Sequence, residues 1–255
     1  MPEWTDRGIV LSTRPFGETN AVVSLLTASH GRHAGLVYAA QSRAKKGVIE
    51  LGNIVQANWR ARLDEQLGVF GIELEKSPSS FVLDSPCRLT AIASVCALVD
   101  QTLPERVPHE TLFDAFSALT ELITLSDSDE AWLPFYVRWE ALLLAQLGFS
   151  LDLEKCAVTG ETTPLTLVSP RTGRAVTPTG AGEFADRMLA LPAFLLPAEQ
   201  QHHRTEQVSV FQSCSEGLAL TGHFLQTRLF SVVDKQLPSA RLRLADMVSK
   251  YCETP

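Results

Sequence analysis

Basic side chains are grouped in the first quarter of this 255-residue chain in a pattern suited to holding phosphate groups. Arg43, Lys45 and Lys46 lie in a polar stretch between two apolar runs, and Arg60 and Arg62 stand two positions apart in the following run. Side chains two positions apart share a face of an extended strand, so we expect Arg60 and Arg62 to point the same way. The pattern favours a phosphate-binding surface, and the alternative is a solvated basic face.

The net charge of the whole chain hides this basic segment. The formal net charge is −7, which by itself argues against a polyanionic partner. Residues 1–62 nevertheless have a net charge of +4, residues 63–150 have −10, and residues 151–255 have −1. The acidity therefore belongs to the middle of the chain, and the N-terminal piece remains compatible with a nucleic acid.

Other groups that could do chemistry lack partners at a useful spacing. His30 and His33 in a glycine-containing turn, and the adjacent pair His202 and His203, are more typical of solvated loops than of a metal site. Acidic residues between 127 and 130 precede a predicted helix, where negative charge is stabilised. The nucleophile-elbow, zinc-protease and phosphate-loop motifs are absent. The sequence nominates no catalytic centre.

Cysteine usage and hydropathy predict a soluble cytoplasmic protein. The five cysteines are scattered along the chain without short-range pairs, and the first residues lack the layout of a signal peptide. No apolar stretch reaches the roughly 20 residues that a membrane-spanning helix needs.

The elements that must position the basic residues change character near Pro86. Before it, glycine-punctuated apolar runs predict the five strands of a small barrel or sandwich, at 8–13, 21–27, 34–40, 53–63 and 67–74. Tyr38, Trp59 and Phe70 in or beside these strands are available to stack on bases. After it, a period of about 3.6 predicts helices at 87–103, 110–125, 130–147, 185–191, 206–229 and 240–251. Residues 155–182, rich in Thr, Pro and Gly, predict an irregular or hairpin insert. The fold class is α+β.

Several segments, in order along the chain, resemble the bacterial DNA repair family RecO. Those similar to the family's N-terminal domain are Gly8–Leu11 (GIVL), Arg14–Glu18 (RPFGE), Leu26-Thr27 with Gly31, and the basic stretch Ser42–Lys46. Those similar to its signature from a long helix into a zinc-site insert are Arg138–Leu143 (RWEALL), Leu147–Phe149 (LGF) and Asp152–Cys156 (DLEKC). Leu237–Arg241 resembles the family's C-terminal Ser-Arg region, with the arginine displaced by one position.

The resemblance implies an architecture and a role. Residues 1–80 are expected to form a five-stranded OB-fold barrel, and residues 81–255 an all-helical domain whose insert, at about 155–182, resembles a degenerate zinc finger. The role is recombinational repair without covalent catalysis, near the nucleoid. It includes binding single- and double-stranded DNA, annealing complementary strands, and helping RecR to load RecA onto DNA coated by single-strand-binding protein (SSB).

Two sets of site residues follow from this role. The cations expected to contact DNA phosphates are Arg14, Arg32, Arg43, Lys45, Lys46, Arg60 and Arg62, extended from the C-terminal helices by Arg228, Arg241 and Arg243. The acidic tail of SSB ends in an aromatic residue, so its receptor needs an apolar pocket beside a cation. Arg138 is the single basic residue between positions 107 and 154 and lies beside Phe135 and Trp139. The alternative for Arg138 is an ion pair within its own helix.

The chain departs from the family at the metal site, and two other functions remain open. Zinc-binding members have Cys-x-x-Cys twice, whereas Cys156 is followed three positions later by Thr159. One thiolate cannot build a tetrahedral site, so we expect neither zinc nor another cofactor, and an insert held by packing. One of the two other functions is that of a general OB-fold module that binds nucleic acid, RNA included, without recombination partners. The other is that of a metal-dependent nuclease that uses the acidic middle of the chain.

Overall fold

The computed structural model describes residues 1–201 and 208–253, and the chain divides into two compact units. The first comprises Met1–Leu125 with Pro238–Arg241, and the second comprises Ser126–Leu237 with Leu242–Pro255. The predicted domain boundary after residue 80 lies inside the first unit. His202, His203 and the first residues of the predicted helix 206–229 lie outside the described residues.

The first unit begins with five strands that close into a barrel in the order β1-β2-β3-β5-β4. The strands are β1 (Glu3–Phe16), β2 (Asn20–Thr27), β3 (Gly31–Val37), β4 (Ile54–Arg60) and β5 (Val69–Lys76). All neighbours are antiparallel except β3 and β5, which meet in parallel where Leu36 pairs with Val69. Together with the helices that follow it in the chain, this barrel confirms the predicted α+β fold class with an N-terminal OB-fold.

Large apolar side chains fill the barrel, because alternate residues of each strand point inward. Val10, Val23, Leu25, Trp59 and Phe70 belong to this core. The aromatic rings leave no room for a side chain on part of β3: a Cβ at residue 35 would lie 2.4 Å from the Phe70 ring, which explains the glycine there.

A helix covers part of the outside of the barrel. After the single turn α1 (Arg43–Lys46), β4, β5 and a 3₁₀ turn over Pro78–Phe81, the unit continues with α2 (Pro86–Thr102) and α3 (Glu110–Leu125). Helix α2 packs against β1 and β2, and the Cys96 thiol lies 3.5 Å from the Val10 carbonyl oxygen as its donor. Because α2 covers this side of β1, Ile9 and Leu11 on either side of Val10 are buried as well.

The second unit is mainly helical. Its elements are α4 (Asp129–Gln146), β6 (Leu167–Val168), β7 (Ala175–Val176), α5 (Pro178–Ala181), β8 (Leu189–Ala190), α6 (Ala198–Gln201), α7 (Val210–Leu225) and most of α8 (Ser239–Glu253). Helix α4 packs against α7, and the buried Glu140 carboxylate accepts a 2.5 Å hydrogen bond from the Thr221 hydroxyl.

Two predicted elements differ from the structure. The predicted helix 185–191 is wrong: a 3₁₀ turn ends at Arg187, and Leu189–Ala190 pair with β6 instead, just before Pro192. The predicted strand 53–63 is shorter in the structure: β4 ends at Arg60, and residues 61–63 lie outside the sheet. No helix in the described ranges is long and apolar enough to cross a membrane.

Candidate nucleic-acid interface

Five exposed or half-buried cations of the barrel have no carboxylate partner within 4.0 Å among the described residues. They are Arg43, Lys45, Lys46, Arg60 and Arg62. Their charges are therefore not neutralised locally, which is the state that phosphate binding requires.

Three of these cations occupy α1, a single helical turn that buries none of its residues. The Lys45 ammonium donates a 2.9 Å hydrogen bond to the carbonyl oxygen of Tyr38, which fixes α1 against the end of β3. The Tyr38 side chain is 53% exposed and so remains available for stacking. Trp59 and Phe70 are each only 2% exposed, so the prediction that they stack on bases is wrong: both rings fill the barrel core.

The other two cations line a groove that we call the β4–β5 groove. It has a volume of about 400 Å³, and its lining includes Leu36, Arg60, Arg62, Leu67 and Val69. Arg60 is the last residue of β4 and pairs with Val69, which also pairs with Leu36 on β3. Arg62 lies beyond the strand, so the two arginines do not share a strand face as predicted. The loop turns both of them into the same groove.

Arg14 and Arg32 both lie near the Asp100 carboxylate. The Arg32 guanidinium lies 3.6 Å from Asp100 and 3.3 Å from Glu105 and is only 16% exposed. Because two carboxylates hold this charge, Arg32 is a structural residue rather than the predicted phosphate contact. The Arg14 side chain is 75% exposed and lies 3.9 Å from Asp100, so it stays accessible.

The C-terminal cations likewise include one buried residue and two exposed ones. Arg241 is 1% exposed, and its burial removes it from any surface that DNA could contact, so that prediction is wrong. Arg243 is exposed on α8. Arg228 is exposed and donates a 2.6 Å hydrogen bond to the carbonyl oxygen of Arg171.

An arginine that the sequence analysis did not single out holds the loop between β4 and β5. The Arg106 guanidinium donates hydrogen bonds to the carbonyl oxygens of Asp64 and Gln66, the latter at 2.9 Å, and lies 5.9 Å from the centroid of the Trp59 ring. Arg106 stands in an acidic stretch far from this loop in the chain, so no local pattern could have pointed to it.

His33 lies inside the barrel rather than in a solvated loop, which corrects the prediction for it. The ring is 4% exposed and lies edge-on to Trp4 and Trp59, with centroid distances of 5.1 and 4.7 Å. Neither ring nitrogen has a hydrogen-bond partner among the described residues. Burial, followed by the charges of Arg106 and His30, lowers the pKa of His33 from 6.5 to about 4. The ring is therefore neutral at physiological pH.

A second surface, on α4, places a cation beside two phenyl rings. The Arg138 Nε donates a 2.9 Å hydrogen bond to the Phe194 carbonyl oxygen, and the guanidinium lies 5.3 Å from the Phe135 ring centroid and 6.0 Å from that of Phe194. These partners replace the ion pair that was the alternative for Arg138. Phe135 is 47% exposed, but Trp139 is 3% exposed and cannot line a surface pocket as predicted. Phe194 lies in a 3₁₀ turn without helical periodicity, so its role left no sequence signal.

The insert surrounds one sulfur atom with hydrogen-bond donors. The Cys156 Sγ accepts from the backbone N–H of Thr159 at 3.4 Å, and from the backbone N–H and hydroxyl of Thr177 at 3.3 and 3.5 Å. A Cβ at Gly180 would lie 2.9 Å from this sulfur. Burial raises the pKa of Cys156, but the hydroxyls and backbone N–H groups of Thr159 and then of Thr177 outweigh it and lower the pKa to about 6.

The residues around Cys156 do not fit a zinc ion. Positions 156 and 159, and positions 177 and 180, have the spacing of two Cys-x-x-Cys pairs, and the other three positions lie around the Cys156 sulfur. Three of the four lack a thiol, whereas a structural zinc site takes four nitrogen or sulfur ligands. Within the described ranges no group of three or more His, Cys, Asp or Glu side chains could hold a metal.

Comparisons with known proteins match both parts of the chain. The family model described as Recombination protein O N terminal matches residues 1–75, and the one described as Recombination protein O C terminal matches residues 84–237. The protein named DNA repair protein RecO from Rhodospirillum centenum is 48% identical over 97% of this chain and 95% of its own length. The proteins of that name from Rhodospirillum rubrum and Phenylobacterium zucineum are 42% and 44% identical, over 98% and 97% of this chain and 98% of their own lengths.

Proposed function

Since the chain belongs to the RecO family and so has a role in DNA repair, we propose that it is a recombination mediator that acts by binding rather than by catalysis. It binds single- and double-stranded DNA, anneals complementary strands, and with RecR helps to load RecA onto DNA coated by SSB. It does so in the cytoplasm, at the nucleoid. The observation that supports this most directly is the set of five barrel cations for which the described ranges hold no carboxylate partner, on a chain whose net charge is −7.

Annealing follows from this charge arrangement. Cations on α1 and in the β4–β5 groove contact phosphates without reading base edges, so binding is independent of sequence and weakens with salt. Two strands whose backbones are partly neutralised repel each other less, while their base edges stay free to pair. Arg14 extends the cationic set of the barrel, because its side chain is exposed. Arg243, exposed on α8, is proposed as a separate phosphate contact of the second unit.

The contact with SSB is proposed at Arg138. A peptide that is acidic and ends in an aromatic residue needs a cation beside an apolar surface, and Arg138 lies beside Phe135 and Phe194. The guanidinium keeps donors beyond the one used by the Phe194 carbonyl, so it can still bind a carboxylate.

An annealing assay tests the proposal. Complementary labelled strands, bare or coated with SSB, are mixed with the full chain, and duplex formation is followed by fluorescence quenching. We expect faster annealing in both cases, and a further stimulation of RecA filament assembly when RecR is added. A general OB-fold module would bind DNA but ignore SSB and RecR. A nuclease would instead shorten the strands in Mg²⁺ or Mn²⁺, which gel electrophoresis detects.

A further inference from the structure

A groove beside α2 leaves apolar side chains in water. It has a volume of about 680 Å³ and lies between α2, the segment that precedes β4 and the 3₁₀ turn over Pro78–Phe81. We call it the α2 groove. Leu51 and Leu83 line it and are 41% and 67% exposed, and the buried side chains of Ile49 and Ile92 line it as well. Exposed apolar side chains grouped around one groove are typical of a surface that binds another molecule.

Polar groups of the α2 groove are also left without partners. Among the described residues, nothing hydrogen-bonds to the buried Ser79 hydroxyl, and no cation lies within 4.0 Å of the exposed Glu50 carboxylate. Asp100, by contrast, accepts a 2.6 Å hydrogen bond from the Ser24 hydroxyl and lies 3.6 Å from Arg32. Packing within the first unit therefore accounts for Asp100 but leaves Ser79 and Glu50 available to a ligand.

The charges of the α2 groove define the class of its occupant. Among the described residues, the charged side chains in its lining are Glu50 and Asp100, although residues 1–62 have a net charge of +4. Carboxylates repel phosphate groups, so this groove does not continue the cationic surface of α1. An occupant has to offer apolar side chains to Leu51 and Leu83 and a cation to Glu50. An amphipathic helix with lysine or arginine beside its apolar face meets both requirements.

An equally large groove of the first unit, lined by Leu125, provides a comparison. Its charged side chains pair with one another, Arg7 with Glu75 at 2.7 Å and Lys76 with Glu121 at 3.8 Å. Because these charges are balanced within the chain, that groove does not select a basic occupant over an acidic one.

We infer that the α2 groove binds a basic amphipathic helix of a partner protein. The apolar side chains of that helix lie against Leu51 and Leu83, and one of its lysine or arginine side chains pairs with Glu50. The proposed function assigns no partner to this face of the first unit, and the inference does not require that the chain binds DNA.

The test uses two labelled synthetic peptides of equal length as probes. Both form amphipathic helices with leucine on one face, and the other face carries lysine in one peptide and glutamate in the other. We expect the full chain to bind the lysine peptide and not the glutamate peptide in anisotropy titrations. Leu83→Ser and Glu50→Lys should each weaken binding of the lysine peptide about tenfold, through lost apolar contact and through charge repulsion.

Leu125→Ser and Glu73→Lys are the matched controls. Leu125 is 73% exposed in the comparison groove, and Glu73 is exposed on β5 and lines neither groove. Both should keep the wild-type affinity for the lysine peptide, since the general attraction of a cationic peptide to an acidic chain is common to all variants. Thermal unfolding shows whether each variant folds.

Equal binding of the two peptides by the wild type, or wild-type affinity in Leu83→Ser, overturns the inference. Self-association of the chain in size-exclusion chromatography that Leu83→Ser abolishes also overturns it, because a second copy would then occupy the groove. Affinity for oligo-dT, measured separately on the same proteins, tests the proposed function and not this inference.

Discussion

At the scale of single residues, the barrel buries a neutral imidazole, that of His33, to which none of the described residues makes a hydrogen bond. The His33 pKa is about 4 in the folded chain against 6.5 as its ordinary value, first because of burial and then because of the Arg106 charge. Between these two pH values the unfolded chain takes up a proton that the folded chain does not. The free energy of unfolding therefore decreases as the pH falls from 6.5 to 4, and this contribution is complete above 6.5.

We predict that this contribution amounts to about 3 kcal/mol over the window. Urea unfolding of the wild type and of His33→Phe at pH 7 and pH 4 measures it, because phenylalanine keeps an aromatic ring among Trp4 and Trp59 but cannot be protonated. The carboxylates titrate in both proteins, so the difference between the two isolates His33. Parallel pH profiles would contradict the prediction.

Arg138 is the second residue with a predicted effect. We expect Arg138→Ala to weaken binding of an SSB tail peptide by more than tenfold, because a charge-assisted hydrogen bond is lost, and to leave DNA affinity unchanged. Isothermal titration with the synthetic peptide measures this. Arg187→Ala is the control, since its guanidinium also lies 6.0 Å from a phenyl ring, that of Phe184. Unchanged peptide binding in Arg138→Ala would place the tail elsewhere.

At the scale of elements, the short helix α1 makes a prediction about salt. Replacing Arg43, Lys45 and Lys46 together with alanine removes three phosphate contacts. The slope of log affinity for single-stranded DNA against log salt concentration should flatten by about 2, at about 0.7 for each contact. Anisotropy titrations at several KCl concentrations give this slope.

Lys76→Ala controls for the loss of any cation from the barrel, because Glu121 lies 3.8 Å from the Lys76 ammonium and already balances it. Its salt slope should match that of the wild type. If the triple variant also keeps the wild-type slope, the DNA path does not cross α1.

The elements also show what a sequence can reveal. The five strands and α3 follow from hydrophobic period, because each has one face that must be buried. Helices α2 and α4 are apolar around most of their circumference, and the Pro, Ser and Asp residues at their ends indicate their bounds. The role of Arg106 depends instead on contacts between residues about 40 positions apart, which no local pattern records. From the sequence alone, Trp59 could be assigned to base stacking or to the barrel core, because only its burial in the folded barrel distinguishes the two. The cations on α1 could be identified from local charge alone. The groove at Arg60 could not, because it forms only where β3, β4 and β5 meet in the folded barrel.

At the scale of the whole molecule, the barrel depends on residues beyond position 80. Ile9, Leu11 and Leu26 are at most 2% exposed but lie outside the barrel core, and α2 packs on the strands that carry them. Each such side chain stabilises by about 1.5 to 3 kcal/mol when buried. A fragment of residues 1–80 would leave these three side chains in water.

We predict that residues 1–125 fold and that residues 1–80 alone do not. Circular dichroism with thermal unfolding, and size-exclusion chromatography of both fragments, measure this. The longer fragment should show a cooperative transition and elute as a compact species. The shorter one should aggregate or unfold without a transition, and a cooperative transition for 1–80 would instead support an independent barrel domain.

The hydrogen-bonded sulfur of Cys156 bears on how this lineage can evolve. Thr159, Thr177 and Gly180 already satisfy or crowd that sulfur, so a thiol at any one of these positions would disturb the present arrangement without completing a tetrahedral set of ligands. Three substitutions would have to arrive together before selection could favour them. A zinc site at this insert is thus three substitutions away, and each single step would first disturb the contacts that now surround the Cys156 sulfur.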